Sequence, residues 1–209
     1  MTMALGLQSR KRARARPAAG ASAIDLMVVA AIALVVAVTT LPLFGRARAR
    51  WEGEAAARFL LHLFRSARVL AARRAEVVGV RAETLSGGTA FRLYADGDGD
   101  GVGLADIAAG VDRPLAPERW LSDDFPHVHV VIRRALPEID GSGTLAAGAD
   151  PTRLGANDVL SFAPDGSSSG GTVYLEGPDG TPYAVRVLST TGRARVLRFH
   201  GSSGAWEER

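Results

Sequence analysis

Three carboxylates spaced two residues apart are the first feature able to do chemistry: Asp96-Gly97-Asp98-Gly99-Asp100-Gly101. This is the D-x-D-x-D-G opening of an EF-hand-type loop, where acidic oxygens at alternate positions suit a hard cation and the closing glycine allows the turn. The pattern then asks for an acid where Ile107 stands, and Asp106 comes one residue early. Flanking helices are not expected either. Asp96, Asp98, Asp100 and Asp106 are the candidate metal ligands, calcium is the candidate cofactor, and a solvated acidic loop is the competing reading.

A second candidate is cationic. Arg186, Arg193, Arg195 and Arg198 fall on the last expected hairpin, where Arg193 and Arg195 alternate onto one strand face and offer contacts to DNA phosphates. No aromatic residues interleave them, so a solvated face competes with nucleic acid as the partner. His62, His127, His129 and His200 form no metal spacing, although His127 and His129 share a strand face. Ser167-Ser168-Ser169-Gly170 lacks the surroundings of a nucleophile elbow. The chain has no cysteine, which excludes disulfides, thiolate metal sites and thiol nucleophiles. None of these residues supports catalysis, and the chain reads as a non-enzyme.

The elements that must position these residues follow from periodicity. Two-residue alternation predicts strands at Glu76–Glu83, Thr89–Asp96, His127–Ala135, Asp158–Ala163, Thr172–Glu176, Tyr183–Ser189 and Arg193–His200. Gly87-Gly88, Pro164-Asp165-Gly166 and Gly177-Pro178-Asp179-Gly180 punctuate them, and Thr190-Thr191-Gly192 joins the last two into a hairpin.

The N-terminal part is different. Arg10, Lys11, Arg12, Arg14 and Arg16 crowd the first twenty residues, and without these five cations the formal charge falls from +3 to −2. The pI of 9.9 therefore reflects a targeting segment rather than an anionic partner. Leu26–Phe44 carries no charge and is long enough, as a helix, to predict a membrane span. Asp25 at its start and Pro42 near its end are both costly there. Beyond them Ala56, Phe59, Leu60, Leu63, Phe64, Ala67 and Leu70 recur at spacings of three and four, one apolar stripe of a continuing helix. A conventional secretory signal cut at Ala47-Arg48-Ala49 is the rival; its apolar region would be longer than usual, with arginine in the cleavage site.

The spacing of Gly20, Asp25 and Pro42 resembles the class III signal of type IV pilins and pseudopilins. The resemblance implies cleavage after Gly20, a mature chain beginning and N-methylated at Ala21, an acid at its fifth residue (Asp25) and a helix-kinking proline at its twenty-second (Pro42). Ala21 stands where the family usually has phenylalanine, and Asp25 where it usually has glutamate. A paired charge between the new amine and a neighbour's carboxylate would explain retaining Asp25 for assembly. Phe162-Ala163-Pro164-Asp165-Gly166, Gly171-Thr172-Val173-Tyr174-Leu175 and Thr191-Gly192-Arg193-Ala194-Arg195-Val196 further resemble the GspH/FimT branch. The segment between Asp96 and Ala156 looks like an insertion.

The expected organisation is a leader over residues 1–20 and the transmembrane half of a long helix over 21–44. The amphipathic half follows over 45–75, then a β-rich pilin domain over 76–209. The expected class is α+β: a long N-terminal helix packed on an antiparallel sheet. The resemblance implies a minor pilin or pseudopilin near the tip of a type II secretion pseudopilus or type IV pilus. Its partners would be other pilins, the prepilin peptidase and an inner-membrane assembly platform. Its location would be single-pass in the inner membrane with a periplasmic domain. The alternative is a DNA-binding minor pilin using the hairpin arginines.

Overall fold

Ser22 opens the first helix with two reciprocal bonds. Its Oγ accepts from the Ile24 N–H at 3.3 Å, and Asp25 Oδ2 accepts from the Ser22 N–H at 3.0 Å. This capping box satisfies donors that a helix start leaves free. Helix α1 then runs Ala23–Arg74, with Arg73 and Arg74 in the last turn complementing its negative end. Ala75, at φ 54, takes the left-handed conformation that stops it. The computed structural model describes residues 22–155 and 158–209; the leader, Gly20 and Ala21 lie outside them. Pro42 lies within the helical run.

The chain forms two compact units, Met1–Leu43 and Phe44–Arg209. In the first, the described part of α1 presents Ile24, Leu26, Met27, Val29, Ile32 and Leu34 to the outside at 59–74% exposure. The membrane-spanning expectation is corrected here: among the described residues, no helix is long and apolar enough to cross a membrane. The single-pass inner-membrane location falls with it. The expected fold class, built on that spanning helix, gives way to a mostly-sheet domain whose helices after α1 are short.

Among the described residues, twelve strands follow α1, in three sheets. Strands β1 (Val78–Leu85) and β2 (Gly88–Ala95) form a tight hairpin, with Leu85 opposite Gly88. Helix α2 (Leu104–Ala109), β3 (Arg113–Pro114), β4 (Arg119–Trp120) and α3 (Leu121–Asp124) come next. Then come β5 (Leu136–Pro137), β6 (Thr144–Leu145), β7 (Thr152–Leu154) and β8 (Val159–Phe162). The chain ends with β9 (Gly171–Glu176), β10 (Pro182–Val187), β11 (Ala194–His200) and β12 (Ala205–Glu208). The first sheet has the order β3-β2-β1-β8, with β4 also on β2; the second is β12-β11-β10-β9-β7; β5 and β6 pair separately. Every pairing is antiparallel.

The core forms where three apolar faces meet. Leu60, Leu63, Phe64, Ala67 and Ala71 of α1 pack against Val78, Val80, Phe91, Leu160 and Phe162 of the first sheet. Val173, Leu175, Tyr183, Val185 and Val196 of the second sheet complete the cluster. The far side of the second sheet is covered too: Tyr174 and Ala184 bury against Ile132, Leu136 and Leu145. Strand β9 is therefore buried along nearly its whole length, as a strand covered on both faces must be.

Two expectations about strands change. His127–Ala135 forms no strand; only His129 bridges to Glu176, since the segment folds over the second sheet and buries Ile132 there. The β10–β11 hairpin is not the end of the sheet, because β12 adds an edge with Trp206 opposite Phe199.

Candidate functional site

The acidic loop leaves β2 at Ala95 and is held on the outer face of the first sheet. Val102 seats over Gly79, where an added Cβ would stand 2.6 Å from Val102 Cγ1, so the strand needs glycine there. Tyr94, Val102 and Val159 form a small apolar cluster beneath the loop, with Ile107 of α2 against it. Ile107, out of place as a calcium ligand, has this packing role instead.

The structure brings together Asp96, Asp98 and Asp112, with one oxygen from each within 4.8 Å of the others. Asp100 and Asp106 are not in this set. Asp112 was not singled out in the sequence, yet it is the most buried acid of the three, at 1% exposure. Its Oδ1 accepts from the Gly97 N–H at 3.1 Å and its Oδ2 from the Gly103 N–H at 2.9 Å, closing the loop from both ends. Asp96 accepts from Gly99 at 2.7 Å and Gly101 at 3.0 Å. A carboxylate bonded to backbone donors is stable without a metal. The triad is therefore complete as a loop-closing device, and its remaining lone pairs would suit a hard cation.

Asp100 is exposed and crowded by like charge. A hydrogen bond to Asp98, then the charges of Asp98, Asp106 and Asp96, hold its carboxyl above the ordinary carboxylate range. The only sequence signal for Asp112 is its place after Gly110, which at φ 75 ends α2 and turns the chain back.

Two of the hairpin arginines have partners within the domain. Arg186 and Arg195 stand opposite each other on β10 and β11 and both reach Asp140, at 2.5 Å and 3.4 Å. Arg195 also lies 3.8 Å from Glu208, and Arg186 donates to Thr172 Oγ1 at 3.1 Å. These bonds tie the β5–β6 lobe to the second sheet, which Trp206 also does by donating to the Pro137 carbonyl at 2.8 Å. Arg193 precedes β11 and is exposed.

The residues carrying the C-terminal resemblance converge on α1. Arg68 Nε donates to the Gly166 carbonyl at 3.0 Å, and Gly192 comes so close that an added Cβ would stand 2.4 Å from that same oxygen. Both glycines have positive φ, 87° and 57°. Ser167 Oγ donates to Asp165 at 2.7 Å and holds its carboxyl below the ordinary range. Ser168 and Ser169 donate to the Leu188 and Val159 carbonyls, so these serines stitch the sheets together.

At the other end of the domain, the Tyr183 hydroxyl donates to the Arg50 carbonyl at 3.3 Å, its ring lying against Gly53. The His127 N–H donates to Glu52 at 3.2 Å. His200 pairs with Glu207, and His129 is held through its backbone to Glu176. Among the described residues no histidine joins a metal cluster. No protein-family model, no curated protein and no solved structure matches the chain.

Proposed function

We propose that the chain is a structural subunit of a pilin-type filament, held to its neighbours by the N-terminal stretch of α1. The observation that carries this reading is the exposure of Ile24, Leu26, Met27, Val29, Ile32, Leu34 and Val38 on a capped helix. Successive apolar residues at 26–29 point to every side, so no single packing partner covers them. Exposed apolar surface of this extent marks an association site, and each such side chain gains about 1.5–3 kcal/mol when buried. A bundle of equivalent helices from neighbouring subunits covers all sides at once.

In this reading Gly20 is the last leader residue and Ala21 the first of the mature subunit. Asp25 has two tasks: one oxygen closes the capping box, and the other faces the amine of an adjoining subunit. Intact-mass measurement of the chain made with and without a prepilin peptidase tests it. The expected product begins at Ala21 only when the peptidase is present. An uncut chain, or a start at Arg50, would contradict it.

A further inference from the structure

The outward side of α1 and the acidic loop carry opposite charges that the fold does not bring together. His62, Arg65, Ser66, Val69, Leu70 and Arg73 form an open strip along the helix. Spacings of three, four and seven put His62, Arg65, Val69 and Arg73 on one side. Leu63, Phe64, Ala67 and Ala71 occupy the core on the other, so this row faces away from the domain. Val69 is 49% exposed within it.

Neighbouring arginines are already neutralised: Arg58 pairs with Glu54 and Arg74 with Glu76. Among the described residues, no carboxylate comes within 4.0 Å of the Arg65 or Arg73 guanidinium. The mirror situation holds in the loop. Asp98, Asp100 and Asp106 form no ion pair among the described residues, and Asp98 and Asp100 are exposed. Asp96, Asp98 and Asp112 bring one oxygen each within 4.8 Å of the others, so like charges crowd the loop.

We propose that the basic outward face of α1 takes the acidic loop of a second copy of this chain, with Arg65 and Arg73 facing Asp98 and Asp100. The two surfaces differ, so each copy carries one basic face and one loop, and the contact is head-to-tail. Such a contact extends from copy to copy unless it closes into a ring. It relieves the repulsion in the loop, gives both arginines partners and covers Val69. Because the pairs lie at a surface, salt weakens the contact. It does not depend on the filament reading, which concerns the helix before Val38.

The absence of cysteine allows a direct test on the full chain. Two differently tagged copies, one carrying Ser66→Cys and the other Ala105→Cys, are co-expressed and treated with a short bismaleimide. A mixed dimer is expected, and its yield should fall as salt is raised. Arg65→Glu with Arg73→Glu in the basic-face copy should cut the yield about tenfold, and Asp98→Arg with Asp100→Arg in the loop copy should restore it. No mixed dimer, a yield indifferent to salt, or reversal without restoration would overturn the proposal. Arg65→Gln with Arg73→Gln supplies a milder variant should the reversed one fold poorly. Adding Ile32→Asp to both copies should leave this dimer in place, which separates it from the filament contact.

Discussion

One helix, two halves: Ile24–Val38 holds apolar residues on every side and leaves them exposed, while Ala56–Ala71 holds them on one side and buries them. The later half is decided by its own chain. Two sheets supply the partner surface, and polar residues such as Arg58 and His62 take the outside. The earlier half has no polar side to give to water, so its apolar content exceeds what this domain buries. Hydrophobic residues spaced at three and four indicate a helix covered on one side, whereas residues in unbroken succession indicate one that needs cover on every side.

The sharpest way to break the comparison is to cut the same kind of side chain from each half. Phe64→Ala should cost about 3–5 kcal/mol in urea unfolding, because the ring is fully buried between α1 and both sheets. Ile32→Asp should leave the unfolding free energy of the domain within about 0.5 kcal/mol of the parent while abolishing incorporation into filaments. Equal destabilisation by both would mean that the two halves do the same job.

The next effect concerns the acidic loop. Asp112→Ala removes the acceptor of two backbone donors in a buried place and should cost about 1–3 kcal/mol by the same measurement. Gly192→Ala then tests how α1 is seated. A Cβ there meets the Gly166 carbonyl in a left-handed conformation, for about 1–2 kcal/mol or more.

The smallest effect is a pH dependence, read from urea midpoints across the acid range. At Asp100 the folded-state pKa is raised, so the folded chain binds the proton more tightly than the unfolded one. Its contribution to stability grows as pH falls through that pKa, and Asp100→Asn should remove that growth. Asp165 has the opposite sign. Its pKa is lowered by Ser167, so its contribution is present at neutral pH and lost as pH falls, and Asp165→Asn should remove that loss.

Much of the domain could be read in advance where a strand has one face in and one out. The alternation at Val78 and Val80, the turn at Pro164-Asp165-Gly166 and the pairing of β10 with β11 all follow from local pattern. Residues 96–156 were opaque for a physical reason. Their strands are two or three residues long, and their places are set by distant contacts: Val102 over Gly79, Trp206 on Pro137, Ile132 against Tyr174. Asp112 was missed because its role is backbone closure, which leaves no spacing rule. The bond from the Ser22 N–H to Asp25 shows a capping task that the Ser-x-x-Asp order already contained. The expected membrane span over Leu26–Phe44 is not met: among the described residues no helix is long and apolar enough to cross a membrane.

The central claim is that the exposed apolar start of α1 packs against other subunits. The direct measurement is cross-linking of the full chain carrying Ile32→Cys in cells that assemble filaments, with Arg209→Cys as a control. Ile32→Cys is expected to join the chain to neighbouring subunits in the sheared filament fraction, and Asp25→Ala to reduce this product. A chain that remains uncross-linked at Ile32 and absent from the filament fraction would contradict it.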